Sequence, residues 1–290
     1  MLRLRLYLLS TAAALFAAAV LLAPAPAQAE TYHTCKGYID SVPATINQQG
    51  VWCLRQDLST SIASGNAITI DAHNVTIDCN GFKLGGLGAG AGSTTVGIYA
   101  NNRFNATMRN CSVRGFYYGI NFTGGGGHLI EDNSYDSNTY MAIRVYSPGS
   151  TVRGNQVIDT GGSTVATASA HGIYGVSGID IIDNTVNGVA AIGANANAYG
   201  IFTGANGGAS ITANRVRGLA ANGTGSTYGI YNDNSGRLVL RDNDVQGSGA
   251  AGSVGVRCTN NQATARDNVV SGFETGILNC LSSGNTVNTN

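Results

Sequence analysis

Ile130-Glu131-Asp132-Asn133-Ser134-Tyr135, Val152-Arg153-Gly154-Asn155-Gln156-Val157, Ile181-Ile182-Asp183-Asn184-Thr185-Val186, Ile211-Thr212-Ala213-Asn214-Arg215-Val216 and Leu240-Arg241-Asp242-Asn243-Asp244-Val245 are one phrase written five times. Working outward from it adds Asn80, Asn268 and Asn285, with Cys111 in the one place where the asparagine is missing. Successive members are 31, 22, 22, 29, 30, 29, 25 and 17 residues apart. A period in the twenties is that of a solenoid, whose turns bury their apolar faces against one another.

Each turn carries three short strand patterns. The first ends at the asparagine and alternates apolar with polar, as at Val152, Ile181, Ile211 and Leu240. The second starts just after it, at Val157, Val186, Val216, Val245 and Val270. The third is built on Gly-Ile, at Gly97-Ile98, Gly119-Ile120, Gly172-Ile173, Gly200-Ile201, Gly229-Ile230 and Gly276-Ile277, with Ala142-Ile143 and Gly255-Val256 as variants. These segments are too short and too glycine-bounded for helices. Three strands per turn with no helical pattern between them predict an all-β chain, a right-handed parallel β-helix made of a single strand-wound solenoid. Like residues then stack at about 4.8 Å per turn. An amide both donates and accepts, so a column of asparagines can bond the turns above and below it.

The Asn-x-Val and Gly-Ile repeats, with the run from Ile68 to Phe82, resemble the right-handed parallel β-helix proteins of the pectin-lyase-like superfamily. The resemblance covers about residues 65–290. It implies the fold and leaves the chemistry open, because that superfamily holds lyases, hydrolases, epimerases, esterases and adhesins. The motifs it would bring are absent: the Asp-Asp pair and Arg-Ile-Lys of polygalacturonase-like hydrolases, the Arg-x-Pro-x-x-Arg of pectate lyases, and the Tyr-Gly-Phe-Asp-Pro-His of alginate epimerases. Copper-associated periplasmic β-helix proteins are another relative. After the leader only Met108 and Met141 remain as thioethers, which argues against a copper role.

Residues 1–29 read as a signal peptide: basic Arg3 and Arg5, an apolar run from Leu6 to Leu22, and Ala27-Gln28-Ala29 before a cleavage at Glu30. No later apolar run has spanning length, so the mature chain is expected to be secreted or periplasmic, with no membrane partner. Basic and acidic residues number 16 each. Removing two arginines with the leader leaves a slight negative balance, which is no nucleic-acid footprint. Six cysteines in an oxidising compartment predict disulfides. Their repeat phases suggest Cys35–Cys53, Cys79–Cys111 and Cys258–Cys280, one of about 15 connectivities for six cysteines. Residues 30–64, with the lone Trp52, stand outside the repeat and read as an N-terminal cap over the first sheet edge. At the other end, Asn285 to Asn290 offers no covering helix. That edge is expected to be sealed by Cys258–Cys280 or by another subunit of a homo-oligomer.

Three consecutive turns are enlarged, by residues 159–170, 188–198 and 218–227 at one phase, and should form a wall beside the Gly-Ile strands. The residue after each Gly-Ile points outward, giving the file Tyr99, Asn121, Arg144, Tyr174, Phe202, Tyr231, Arg257 and Leu278. The small residue before each isoleucine should leave the neighbouring lane flat. Aromatic faces suit sugar rings, and arginines grip carboxylates or sulfates. An acidic-polysaccharide groove follows, with Phe202, Tyr231 and Arg257 as substrate-binding residues. A lyase-type site would use His171 or Tyr174 to take the proton alpha to a carboxylate while Arg144 neutralises the acid. The alternatives are a non-catalytic surface or adhesion module, an external ring stack that only strengthens adjacent strands, and a turn histidine bonded to backbone. The acidic column Asp132, Asp183, Asp242 and Asp267 is broken by Gly154 and Ala213, so no metal and no cofactor is expected.

Overall fold

Alternation of apolar and polar residues turns each repeat into three short strands joined by sharp corners, as in Thr107–Arg109, Ser112–Arg114 and Tyr118–Thr123. The computed structural model describes residues 35–165, 169–204, 209–233 and 236–289. The leader, its cleavage site and His33 lie outside them. Every strand pairs in parallel with its counterpart one turn away, which builds three long sheets. Sheet I holds the Gly-Ile strands, from Ala44–Ile46 to Thr275–Leu278. Sheet II holds the strands before the asparagines, from Gly37–Tyr38 to Leu281–Ser283. Sheet III holds those after them, from Leu58–Ser59 to Thr286–Asn288. The chain is the expected parallel β-helix.

One inward file from each sheet fills the cylinder. Sheet I gives Ile98, Ile120, Ile143, Ile173, Ile201 and Ile230. Sheet II gives Ile77, Met108, Ile130, Val152, Ile181, Ile211 and Leu240. Sheet III gives Leu84, Val113, Tyr135, Val157, Val186, Val216 and Val245. All are fully buried. Each such side chain contributes roughly 1.5–3 kcal/mol, repeated at every turn, so the stability of the solenoid is spread along its length.

The asparagine ladder sits at the corner from sheet II to sheet III. Asn155 shows the pattern: its N–H and its Nδ2 both donate to Asn184 Oδ1, at 3.0 Å each, and its Nδ2 also reaches back to Ile130 O at 3.0 Å. The same bonds recur at Asn133, Asn184, Asn214, Asn243 and Asn268, ending on Asn285. Cys111 heads the ladder by donating its N–H to Asn133 Oδ1. Asn80 departs from expectation. It is exposed, and its Nδ2 goes to Leu54 O, because the first corner runs through two extra residues.

The residue before each ladder asparagine has a left-handed backbone: Asn110, Asp132, Gly154, Asp183, Ala213, Asp242, Asp267 and Gly284, with φ between 53° and 65°. Asp, Asn and Gly tolerate that region best. The acidic column therefore has a backbone cause.

The capping segment is itself wound as a turn. Ala44–Ile46, Gly50–Cys53 and Leu58–Ser59 add one strand to each sheet, and Gly37–Tyr38 pairs beyond Gly50–Cys53. Trp52 is in register with Ile77 in the inward file, where its large ring covers the first core layer. Cys35 bonds Cys53 across this turn, while Cys79–Cys111 and Cys258–Cys280 each join neighbouring turns. Among the described residues no helix is long and apolar enough to cross a membrane.

Candidate functional site

The outward residues of sheet I fall into three lanes. In the middle lane Tyr99, Asn121, Arg144, Tyr174, Phe202, Tyr231, Arg257 and Leu278 stand one per turn in strict register. The lane before it reads Tyr118, Met141, His171, Tyr199, Tyr228 and Val254. The lane after it reads Asn101, Thr123, Tyr146, Val176, Gly204 and Asp233.

The first of these lanes is not flat. The glycine before each isoleucine turns inward, where a Cβ on Gly172 would stand 2.6 Å from Val186 Cγ1 and one on Gly97 would stand 2.3 Å from Gly119 O. At Gly97 and Gly172 the close approach of neighbouring atoms leaves no room for a Cβ, whereas in its own turn Ala142 is accommodated fully buried at the same place. The outward place is taken by the residue ahead of it, which is why a histidine and tyrosines line that lane.

The two ringed lanes form one aromatic block. Tyr174 and Phe202 stack at 4.9 Å with planes 2° apart, and Phe202 stacks on Tyr231 at 5.4 Å. Beside them His171, Tyr199 and Tyr228 stack at 4.7 and 5.0 Å. The lanes meet edge to face, His171 against Tyr174 at 5.3 Å and against Phe202 at 5.5 Å. Stacked rings turn their faces to one another. The faces expected to receive sugar rings are thus largely occupied, and edges and hydroxyls are presented instead.

Arginines close both ends of the block. Arg144 lies over Tyr174 and Tyr118, 5.9 and 5.7 Å from the ring centres, and Arg257 over Tyr231 and Tyr228, 5.1 and 5.5 Å away. Cation–π contact and hydrogen bonds hold them: Arg144 Nη1 donates to Asn121 Oδ1 at 2.6 Å, and Arg257 Nη1 to Tyr228 Oη at 3.1 Å. Neither has a carboxylate partner among the described residues. Among the described residues every other arginine except Arg237 does, Arg153 with Glu131 and Arg109 with buried Asp78 included.

His171 is only 6 % exposed, and its Nδ1 has no hydrogen-bond partner among the described residues. Burial pushes its imidazole down to about 3, so it is neutral at any physiological pH. Burial likewise raises the Tyr174 hydroxyl above its ordinary value, against the pull of Arg144, and keeps it protonated. The enlarged turns stack as a wall by lengthening sheet III. Gln156–Gly161, Thr185–Ala190 and Arg215–Ala220 run six residues each, where Ser112–Arg114 and Ser134–Asp136 run three. Thr160, Val189 and Leu219 are buried by that extension.

A shallow cleft of about 360 Å³ opens on the other side of the block, lined by Arg144, Tyr146, Tyr174, Val176, Phe202, Gly204 and Asp233. It takes in Arg144, Tyr174 and Phe202. His171, Tyr231 and Arg257 are not among its lining. Tyr146 and Asp233 were not singled out from the sequence. They lie two places beyond the middle lane, so counting on along each strand would have found them.

Copper would need imidazole, thioether or thiolate donors gathered in one place. All six cysteines are in disulfides. Met108 is fully buried and receives the Tyr135 hydroxyl at 3.6 Å. Met141 and His171 are register neighbours, but His171 lies flat on Tyr199 in a ring stack. His73 and His128 each accept a backbone N–H at Nδ1, from Phe104 and Ala106. Among the described residues no three His, Cys, Asp or Glu side chains converge. This donor set does not fit the metal.

Among solved structures the chain is similar to two Azotobacter vinelandii proteins, the mannuronan C-5 epimerase AlgE4 A-module and the AlgE6 A-module. The AlgE4 module is 10 % identical with a TM-score of 0.49, over 87 % of this chain and 88 % of that one. The AlgE6 module is 13 % identical with a TM-score of 0.44, over 88 % and 90 %. It is also similar to the Dettilon tailspike protein, 14 % identical with a TM-score of 0.39, over 83 % and 60 %. No curated protein matches it. The model of one protein family, described as periplasmic copper-binding protein (NosD), matches residues 59–225, more than half of the chain, and the chain belongs to that periplasmic β-helix family.

Proposed function

We propose that the outward face of sheet I binds an acidic polysaccharide and holds it without cleaving it. The observation that carries this reading is Arg144 at the mouth of the cleft. It is oriented by a neutral amide, packed on Tyr174, and ion-paired with no carboxylate among the described residues. An arginine so held is pre-organised for a carboxylate or sulfate, and a charge-assisted bond there is worth roughly 1.5–3 kcal/mol.

A lyase-type reaction needs a group that takes the proton beside the acid. His171 is neutral but buried behind Tyr174, and Tyr174 keeps its own proton. Neither supports cleavage, and the support for binding comes from the arginine and the hydroxyl edges rather than from the ring faces.

Calorimetry with polymeric uronates and with a neutral glucan tests the reading. Uronate binding that Arg144→Ala weakens about tenfold or more, with no ultraviolet absorbance from new unsaturated ends, is the expected result. Equal affinity for the neutral glucan, or no change on losing Arg144, would overturn it.

A further inference from the structure

We infer that this face measures the length of its ligand: one acid group sits on Arg144, a second on Arg257, and the chain between them runs parallel to the solenoid axis. The inference rests on the binding reading above and goes beyond it by assigning Arg257 as a second anion subsite and by setting ligand direction and minimum span.

Five consecutive strands carry Arg144, Tyr174, Phe202, Tyr231 and Arg257 in one lane. Four steps at about 4.8 Å place the two arginine positions about 19 Å apart. Each guanidinium covers one end of the same ring stack, so the rings act as a spacer that fixes both charges. The two are held alike, by a neutral oxygen and a pair of rings, which orients them without neutralising them. Among the described residues the arginines without a carboxylate partner are Arg237 and the two that bracket this strip.

The space between the arginines has its own selectivity. Asp233 stands in the next lane, in the cleft, taking the Thr259 hydroxyl at 2.8 Å. A carboxylate there repels an anion and accepts from hydroxyls. The tyrosine edges of Tyr174 and Tyr231 add hydroxyls of their own. The ligand class is therefore an extended acidic glycan that meets the arginines with acid groups at both ends of the span and turns hydroxyls toward Asp233 between them. Carboxylate and sulfate share this chemistry.

Two sites on one rigid scaffold bind a tethered pair of anions with a step in affinity once the tether spans them. Calorimetry on the full chain with uronate oligomers from dimer to octamer, and with sulfated oligomers of the same lengths, reads that step and distinguishes the two anions. Affinity should rise about tenfold or more at the first length that reaches both arginines. Arg257→Gln keeps a side chain for Tyr228 to bond but removes the charge. It should abolish the step, while short oligomers still bind through the Arg144 subsite that remains. A smooth rise with length, identical in Arg257→Gln, would overturn the ruler and leave the binding reading standing. No binding by any acidic oligomer would overturn both.

Discussion

Replacing Asn184 by alanine removes the middle rung of the ladder, and its cost follows from the bonds it makes. Asn184 Oδ1 accepts the N–H and the Nδ2 of Asn155, and its Nδ2 donates to Val152 O, Ile182 O and Asn214 Oδ1, all within 3.0 Å. The residue is 1 % exposed, so water does not replace what is lost. At least the Asn155 N–H is orphaned in the interior, and Val152 O and Asn214 Oδ1 each lose a donor. Asn214 Oδ1 keeps the backbone N–H of residue 184, so at roughly 1–3 kcal/mol for each of the other two buried groups left unmet the loss is about 2–6 kcal/mol. Asn80→Gly is the control. That asparagine is exposed, outside the ladder, and at a φ of 51° that glycine accepts, so its loss should cost under about 1.5 kcal/mol. Urea unfolding gives the total, and amide exchange localises it, since a solenoid can open locally. Exchange should quicken at Asn155 and in the two turns on either side of residue 184. If Asn184→Ala proves no more destabilising than Asn80→Gly, the ladder is ornament and the energetic argument for it fails.

The pH dependence of stability should carry the mark of His171. Its folded value lies near 3, below the ordinary 6.5, because burial disfavours the charged imidazole. The unfolded chain therefore takes up a proton first. The contribution is fully present above about pH 6.5 and is lost progressively as pH falls toward about 3, by up to a few kcal/mol. His171→Phe, which keeps a ring in the stack, should flatten that slope in pH-dependent unfolding, and an unchanged slope would show that the imidazole is not buried as described. The Cys79–Cys111 link closes a loop 32 residues apart in the chain and should be worth about 3–4 kcal/mol. Because Cys111 occupies the ladder position, Cys79→Ala with Cys111→Asn should be more stable in denaturant than Cys79→Ala with Cys111→Ala. An asparagine there can bond Asn133 as the others bond their neighbours.

Much of the fold was legible because its causes repeat. An amide that must meet its copy one turn on, and an aliphatic residue that must meet the cylinder axis, recur at fixed phase, and Asn133 to Asn285 and Ile98 to Ile230 show both. The middle lane from Arg144 to Arg257 was legible for the same reason. Its neighbours were not. The glycine ahead of each isoleucine breaks simple alternation, so Gly172 faces inward and His171 takes the outward place. Tyr146 and Asp233 belong to a lane of unlike residues, in which no recurrence marks a face.

Periodicity by itself determined the solenoid, the three files of its core, the half-cystine pairs and which residues share a turn-by-turn column. Only the packed structure decided what those columns do. Ring planes, the burial that holds His171 neutral, and the lack of an ion pair at Arg144 and Arg257 among the described residues depend on side chains from different turns meeting at ångström distances. A one-dimensional repeat specifies that such side chains are neighbours; their orientation and solvation are set by all of the turns packed together.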